Sequence, residues 1–437
     1  MKRQIDNSLI QWMGRKNRKP LLVRGARQVG KTFSISELGK ASFKRFVRFD
    51  LERQRRIHSI FADDLDPAKL LPQLEAQSAQ RIVPNETLLF LDEIQACPRA
   101  IMALRYFYEQ MPELHVIAAG SLLEFAMEDI SFPVGQVEFL WMHPMTFGEF
   151  LAARGEGILA EQRPGIKTRT TLPEATHRKL LDQLRQYFIV GGMPEAVKVY
   201  LESNSFAEID RVHTILAEAY QQDFAKYGGR VDKDCLARVF EQIPARIGQQ
   251  VKYAPLYPEK RVETIKSALR VLERALVIRK VASTSAQGLP LGAGISETVF
   301  KYIFADIGLA RHMCGLSAAS VLEEADILST FRGSLAEQFV GQELLAERGG
   351  SENGKLFYWA RAKRNSNAEV DYVIAWNGTI LPVEVKSGPA GKLKSMHLFL
   401  KEHPHCRSGL VLNSSNVQDA ESGKLLFLPL YARLGDD

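Results

Sequence analysis

The segment Gly25-Ala26-Arg27-Gln28-Val29-Gly30-Lys31-Thr32 constrains this chain more than any other. It follows the apolar run Leu21-Leu22-Val23 and has the form G-x-x-x-x-G-K-[ST]. A loop of that form needs a buried strand before it and a helix after it, and Phe33-Ser34-Ile35-Ser36-Glu37-Leu38 opens as the helix. Glycines let the backbone approach closely and take up φ values that a Cβ disfavours. The N–H groups of Gly25, Ala26, Arg27, Gln28, Val29 and Gly30 would then surround the α/β-phosphates of ATP. In that arrangement Lys31 reaches the β/γ-phosphates and the Thr32 hydroxyl holds Mg2+.

A second apolar run, Thr87-Leu88-Leu89-Phe90-Leu91, reads as a central parallel strand covered on both faces. It ends in Asp92-Glu93, at the carboxyl end where open α/β sheets bind ligands. Asp92 is placed to hold the Mg2+ shell, and Glu93 to orient and deprotonate an attacking water. The pair favours hydrolysis over phosphoryl transfer to another substrate. A third run, His115 to Ala119, leads into Gly120-Ser121. Ser121 either contacts the γ-phosphate or caps the helix beginning at Leu122.

At 437 residues the chain is long enough for two or three domains. Net charge +6 and a pI near 9.0 permit an acidic partner without demanding one. Cys97, Cys235, Cys314 and Cys406 form no C-x-x-C pair, so neither a disulfide framework nor a zinc site is indicated. The N-terminus lacks the apolar core of a secretion signal and no run is long enough to span a membrane, so a cytoplasmic protein is expected.

Strands read at 20–24, 45–50, 87–92, 115–119 and 136–141 alternate with helices and predict a parallel α/β domain over residues 1–160. A polar stretch from Gly155 to Pro173 marks a boundary. Residues 174–315 read as a largely helical domain. Its helices at 232–249 and 261–276 precede two strands, near 277–281 and 299–304, and resemble a winged helix. Arg261, Lys266, Arg270 and Arg274 give the second helix a basic edge. That edge serves DNA contact or is a solvated face diluted by Glu263 and Glu273. A third domain, α/β, is expected over 328–437.

This last segment holds a second group of acids. Glu369-Val370-Asp371-Tyr372-Val373-Ile374 and Ile380-Leu381-Pro382-Val383-Glu384-Val385-Lys386 alternate around Asn377-Gly378, a strong hairpin signal. With Asn377-Gly378 as the loop, Asp371 opposes Glu384 and Glu369 opposes Lys386. All four share one face, and the other face is apolar, so burial and the turn specify the same register. Opposed Cβ atoms lie about 4.5–5.5 Å apart, close enough for two carboxylates to share Mg2+ or Mn2+. From Lys355 to Arg407 there are nine basic and four acidic residues, and three of those acids belong to this group, which favours a polyanionic partner.

The Asp371…Glu384-x-Lys386 pattern resembles the core of the PD-(D/E)xK nuclease superfamily. The resemblance implies metal-binding acids at Asp371 and Glu384, a catalytic Lys386, and a further metal-binding glutamate on a preceding helix, a place that Glu337 fits. No proline precedes Asp371, which departs from the pattern. As a whole the chain resembles prokaryotic AAA-like P-loop ATPases with a C-terminal domain of unknown function. The resemblance rests on residues 24–32, Leu91 to Gln95, Pro144 to Phe150, Gly191 to Glu195 and Asp306 to Leu309. It implies an ATPase core, a helical or winged-helix middle and a nuclease-like C-terminal domain, and from these an ATPase acting on nucleic acid, DNA above RNA, with ATP state coupled to the nuclease-like domain, is expected. The alternative it leaves is a nucleotide-switched scaffold with an inactive nuclease-like fold. A homo-oligomer is compatible with either. Relatives often carry Gly-Arg where this chain has Gly135-Gln136, so no arginine finger is implied there; Arg99 and Arg105 are the substitutes considered.

Overall fold

In a computed structural model, the described residues are 1–121, 123–126, 132–133, 135–224, 231–318, 333–348, 354–361, 367–386, 393–419 and 424–435. Leu122, Lys363, Arg364 and Lys392, which entered the sequence argument, lie outside them. The chain divides into two units, Met1–His143 and Pro144–Asp437.

The first unit is built on β1 (Leu21–Arg24), β2 (Arg45–Asp50), β3 (Thr87–Asp92), β4 (His115–Gly120) and β5 (Glu138–Trp141). All pairings are parallel, in the order β2-β3-β4-β1-β5. Every residue of β3 and of β4 is buried, as expected of strands with helices on both faces. The covering helices include α1 (Gln4–Met13), α2 (Lys31–Ser42), α3 (Pro67–Ser78), α4 (Pro98–Gln110) and the short α5 (Leu123–Ala126). Side chains such as Phe49, Phe61, Leu74, Leu89, Ile101 and Phe107 fill one continuous apolar core. The parallel sheet brings the ends of β1 and β3 to one edge, and both acid and phosphate-loop segments sit there.

The second unit opens with α6 (Phe147–Ala153), whose Thr146 and Glu149 form a reciprocal cap, and α7 (Gly157–Glu161). Then come α8 (Glu174–Val190), α9 (Pro194–Ser203), α10 (Phe206–Phe224), α11 (Lys233–Gln242) and α12 (Val262–Arg274). The antiparallel pair β6 (Ile278–Thr284) and β7 (Ile295–Phe304) follows, then α13 (Ile307–Met313) and α14 (Ser334–Arg348). The C-terminal strands are β8 (Leu356–Ala360), β9 (Glu369–Val370), β10 (Tyr372–Trp376), β11 (Thr379–Val385), β12 (Gly409–Asn413), β13 (Gln418–Asp419) and β14 (Leu425–Pro429), with α15 (Lys394–Glu402) between β11 and β12.

Two sheets organise these strands, in the orders β10-β11-β12-β14-β13 and β7-β6-β8-β9. The second sheet mixes segments. β6 pairs with β7 on one side and runs parallel to β8 on the other, so neither edge of β6 is free and the β6–β7 hairpin is not an open wing. On α12, Lys266 is 3.7 Å from Glu263 and lies over the Tyr253 ring, while Arg270 is exposed.

Three motifs without obvious chemistry meet in this unit. The Met145 N–H donates to the Gly192 carbonyl at 2.7 Å, and the Gly192 N–H to Asp306 at 2.6 Å. The Tyr187 hydroxyl donates to the Met145 carbonyl, and the Gln342 side chain bonds both that hydroxyl and the Ile307 N–H. Asp306 thereby becomes a fully buried acceptor at the junction of Pro144–Phe150, Gly191–Glu195 and α13.

Candidate functional site

In the first unit the loop between β1 and α2 delivers the expected groups. Gly30 takes φ +100°, a conformation glycine adopts without a Cβ penalty, and Lys31 then begins α2. The loop thus leads directly into the N-terminus of α2, whose positive end suits phosphate. The Lys31 ammonium is buried and donates to the loop carbonyls of Gly25 at 2.9 Å and Ala26 at 2.8 Å. Burial pushes its pKa down to about 8, against the pull of Glu93 and Asp92.

Thr32 Oγ1 donates to both oxygens of Asp92, at 3.2 and 3.0 Å. Two groups separated by sixty positions are thus adjacent, as holding one Mg2+ shell requires. Asp92 is buried, and burial raises its pKa against the opposing charge of Arg48. Arg48 comes from β2 and lies 2.7 Å from Asp92; its position in a parallel neighbour strand, not any motif, brings it there. Glu93 sits in the left-handed region at φ 49°, and the Gln95 side-chain amide donates to its carboxylate at 2.6 Å. Burial raises the pKa of Glu93, which suits a proton acceptor, and the Gln95 hydrogen bond opposes that rise. Gln95 is a positioning residue that the motif contained without declaring a role.

Ser121 is buried directly after β4, the strand beside β1. Arg99 and Arg105 are committed elsewhere. Arg99 donates to the Phe61 and Asp63 carbonyls, and Arg105 pairs with Glu109 on α4.

The acids of the second unit also gather. The hairpin has the register expected from Asn377-Gly378: Tyr372 opposes Val383, Ile374 opposes Leu381 and Trp376 opposes Thr379. Asp371 Oδ2 accepts the Val385 N–H at 2.7 Å, and Glu384 is buried. The expectation for Glu369 fails, because the chain leaves the hairpin at Asp371. Glu369 and Val370 instead pair with Ala360 and Trp359 of β8, so Glu369 does not oppose Lys386. Lys386 pairs with Glu384 at 2.5 Å, and Glu369 pairs with Lys301.

Lys301 is the residue that sequence reasoning missed. It projects from β7, more than thirty positions before Glu337, and its side chain is 1% exposed. It lies 3.0 Å from Glu337 on α14 and also contacts Glu369. Burial alone would lower its pKa; Glu337, Glu369 and Asp371 outweigh that and hold it above the ordinary lysine range. Burial pushes Glu337 up to about 8 and Glu384 up to about 7, the latter helped by Asp371, and it raises Asp371 itself. The one signal in the sequence was a lysine in an otherwise apolar run, Val299-Phe300-Lys301-Tyr302-Ile303-Phe304.

Carboxylate oxygens are the donors a hard divalent cation takes, and Glu384 Oε2 is buried with no hydrogen-bond partner among the described residues. Lys301 neutralises the Glu337–Glu369 side, and the acids Glu337, Asp371 and Glu384 do not bring three ligand atoms within 4.8 Å of one another. A different trio, Asp210, His213 and His312, brings its ligand atoms within 4.8 Å of one another. The buried Arg311 guanidinium lies 2.5 Å from Asp210 and 3.4 Å from His213 Nδ1, so a tethered cation already sits there.

The sequence profile of the AAA domain matches residues 17–151. Profiles of two domains of unknown function, DUF8612 and DUF4143, match residues 181–320 and 332–432. No curated protein matches the chain. Among solved structures it is similar to a Walker-type ATPase of Pyrococcus abyssi at 13% identity, covering 72% of this chain and 95% of that one with a TM-score of 0.44. It is similar to PCH-2 of C. elegans at 13% identity, over 46% and 63% of the two chains, with a TM-score of 0.28. A RuvB variant of Thermotoga maritima gives 13% identity over 64% and 89%, with a TM-score of 0.29. No described helix is long and apolar enough to cross a membrane. Residues 17–151 thus form an AAA domain of the P-loop kind, which supports ATP binding and hydrolysis by this chain.

Proposed function

We propose that this protein hydrolyses ATP in a Mg2+-dependent manner and uses the ATP state to govern action on nucleic acid by its C-terminal segment. The observation that carries the ATPase reading is the contact of Thr32 with Asp92, beside a buried Lys31 and a Gln95-held Glu93. Phosphate oxygens would replace the Gly25 and Ala26 carbonyls as acceptors for Lys31. Thr32 and Asp92 would hold Mg2+, which when bound supplies charge neutralisation at the phosphates. Glu93, aimed by Gln95, would take the proton of the attacking water. Ser121 stands as a candidate contact to the γ-phosphate.

Lys31→Ala should abolish nucleotide binding. Glu93→Gln should retain ATP and slow turnover by about 10²–10⁴-fold, the usual cost of losing a general base. Equal turnover in wild type and Glu93→Gln would refute the assignment.

For the second unit, the proposed activity is metal-dependent cleavage of a phosphodiester. Asp371, Glu384 and Glu337 would hold Mg2+ or Mn2+, and Lys386 would serve the attacking water. Calorimetric titration of Mn2+ into the full chain tests it, with Lys31→Ala to silence the nucleotide site. Metal affinity unaffected by Asp371→Asn and Glu384→Gln would exclude the site. A second reading is favoured by Lys301, which already supplies a counter-charge: the nuclease-like fold then grips a nucleic-acid or protein partner without cutting. Metal binding with no cleavage of linear DNA, single-stranded DNA or RNA would favour that reading.

A further inference from the structure

Beside the acid cluster the second unit contains a cavity of about 650 Å³. One wall is the loop after α11, with Arg246, Gln249 and Lys252; the other is the β8–β9 region, with Arg361, Asn367 and Glu369. Glu369 lines the cavity and pairs with Lys301, which in turn pairs with Glu337, so the cavity is linked to the acid cluster through that one carboxylate.

The loop is built into place. The Val251 N–H donates to the Phe300 carbonyl at 2.9 Å, and Gln250 bridges to Lys301, so the loop runs along β7 at the buried lysine. Gly248 has φ +76°, and a Cβ there would lie 2.6 Å from Glu337 Oε2. No residue with a side chain fits at that point without moving the carboxylate. The Arg246 guanidinium is fixed by Gln242 and by the Pro255 carbonyl at 2.8 Å. Those acceptors are neutral, so its positive charge is not cancelled by them. Lys252 is exposed at the same wall. Arg361, by contrast, is paired with Glu402.

We propose that this cavity binds the end of a single nucleic-acid strand, with backbone phosphate on Arg246 and Lys252 and base edges against Gln249 and Asn367. The proposal rests on the phosphodiester-cleaving reading of the adjacent acids and adds to it the substrate form and the residues that hold it. Among the described residues neither Arg246 nor Lys252 has an acidic partner, and two such cations select an anion. Side-chain amides present paired donors and acceptors, the chemistry that reads exposed base edges. The volume falls within the roughly 300–1,000 Å³ of small-ligand sites, the scale of an unstacked strand end. Arg246, Gln249 and Lys252 come from the segment before β6 and Asn367 from just before β9, whereas three of the acids, Glu337, Asp371 and Glu384, come from α14 and the hairpin.

The test uses the full chain carrying Lys31→Ala, so that the phosphate loop takes no part, in EDTA, so that nothing is cut. Fluorescence anisotropy with a labelled single-stranded DNA ten-mer, its RNA counterpart and the DNA duplex should show tighter binding of single strands. Adding Lys252→Glu should weaken single-strand binding by tenfold or more. It should also reduce the slope of log affinity against log salt by about 0.7, one phosphate contact on a single strand. Gln249→Ala and Asn367→Ala should weaken it less, without changing the salt slope. Lys198→Glu, on α9, should have no effect. A DNA–RNA difference would identify the strand type. Unchanged affinity in Lys252→Glu, or duplex bound as tightly as single strand, would overturn the proposal. If Lys252→Glu loses binding while Asp371→Asn leaves cleavage intact, the cavity stands and the cleavage reading falls. If Asp371→Asn abolishes cleavage while Lys252→Glu binds and cuts as before, the cavity alone is wrong.

Discussion

Lys301 shows how much one buried side chain can settle. It is the ammonium partner of Glu337 and Glu369 on a strand whose neighbours are apolar. Removing one partner of a buried ion pair leaves the other charges uncompensated, at a typical cost of about 3–5 kcal/mol. Lys301→Met should therefore lower stability by an amount of that order in chemical denaturation. Adding Glu337→Gln should recover part of the loss, because the two substitutions act on one interaction. A loss below about 1 kcal/mol for Lys301→Met alone would mean that the acids find another counter-charge. At the same scale, Arg48 and Gln95 act on Asp92 and Glu93 through placement, and neither is part of the bare phosphate-loop pattern.

Among elements, the hairpin β10–β11 and the pair β6–β8 behave differently. The hairpin was legible because a two-residue Asn377-Gly378 turn and an apolar face specify the same register. Its limit was not legible: Glu369 obeys the alternation but belongs to β9, and nothing local records that β8 captures it. The parallel pairing of Val281 with Leu356 likewise joins segments that composition would separate. A chain beginning near residue 329 would lose β6, β7 and Lys301, leaving β8 without its parallel partner and Glu337 without its cation. Such a fragment should fail to fold, reporting a disordered circular dichroism spectrum and no protected amides. A cooperative melt of that fragment would refute the shared-sheet argument. The strands of the first unit, by contrast, follow the sequence reading within two residues, most plainly β3 and β4, which are buried throughout.

Across the second unit, stability should carry opposing pH dependences. Asp306 is fully buried, and burial raises its pKa from an ordinary 3.8 to about 6 despite the N–H groups of Leu309, Gly192 and Gly308. Its folded form prefers the proton, so its contribution is complete below about pH 4 and is lost as pH rises through 6, worth about 3 kcal/mol. His213 is the reverse. Burial beside Arg311 lowers it to about 3, so its contribution is complete above pH 6.5 and is lost as pH falls. Between pH 4 and 6 these two oppose each other, and the raised Glu337 and Glu384 add further falling contributions there. Asp306→Asn removes this one falling part and leaves the rest, so across that window the slope of melting temperature against pH should be more positive than in wild type. Parallel pH profiles for the two proteins would show that Asp306 does not titrate there.

The sequence by itself determined what is local or periodic: the phosphate loop, the five parallel strands, the acids at the end of β3 and the hairpin register. Each rests on a backbone requirement or an alternation that neighbouring residues encode. Tertiary structure alone decided which distant charges meet. Lys301 joins Glu337 and Glu369, Arg48 joins Asp92, and the loop at Arg246 lines a cavity with Glu369. A lysine in an apolar strand has no preferred partner until packing removes it from water; burial then makes an unpaired charge too costly, and the fold must bring a carboxylate to it.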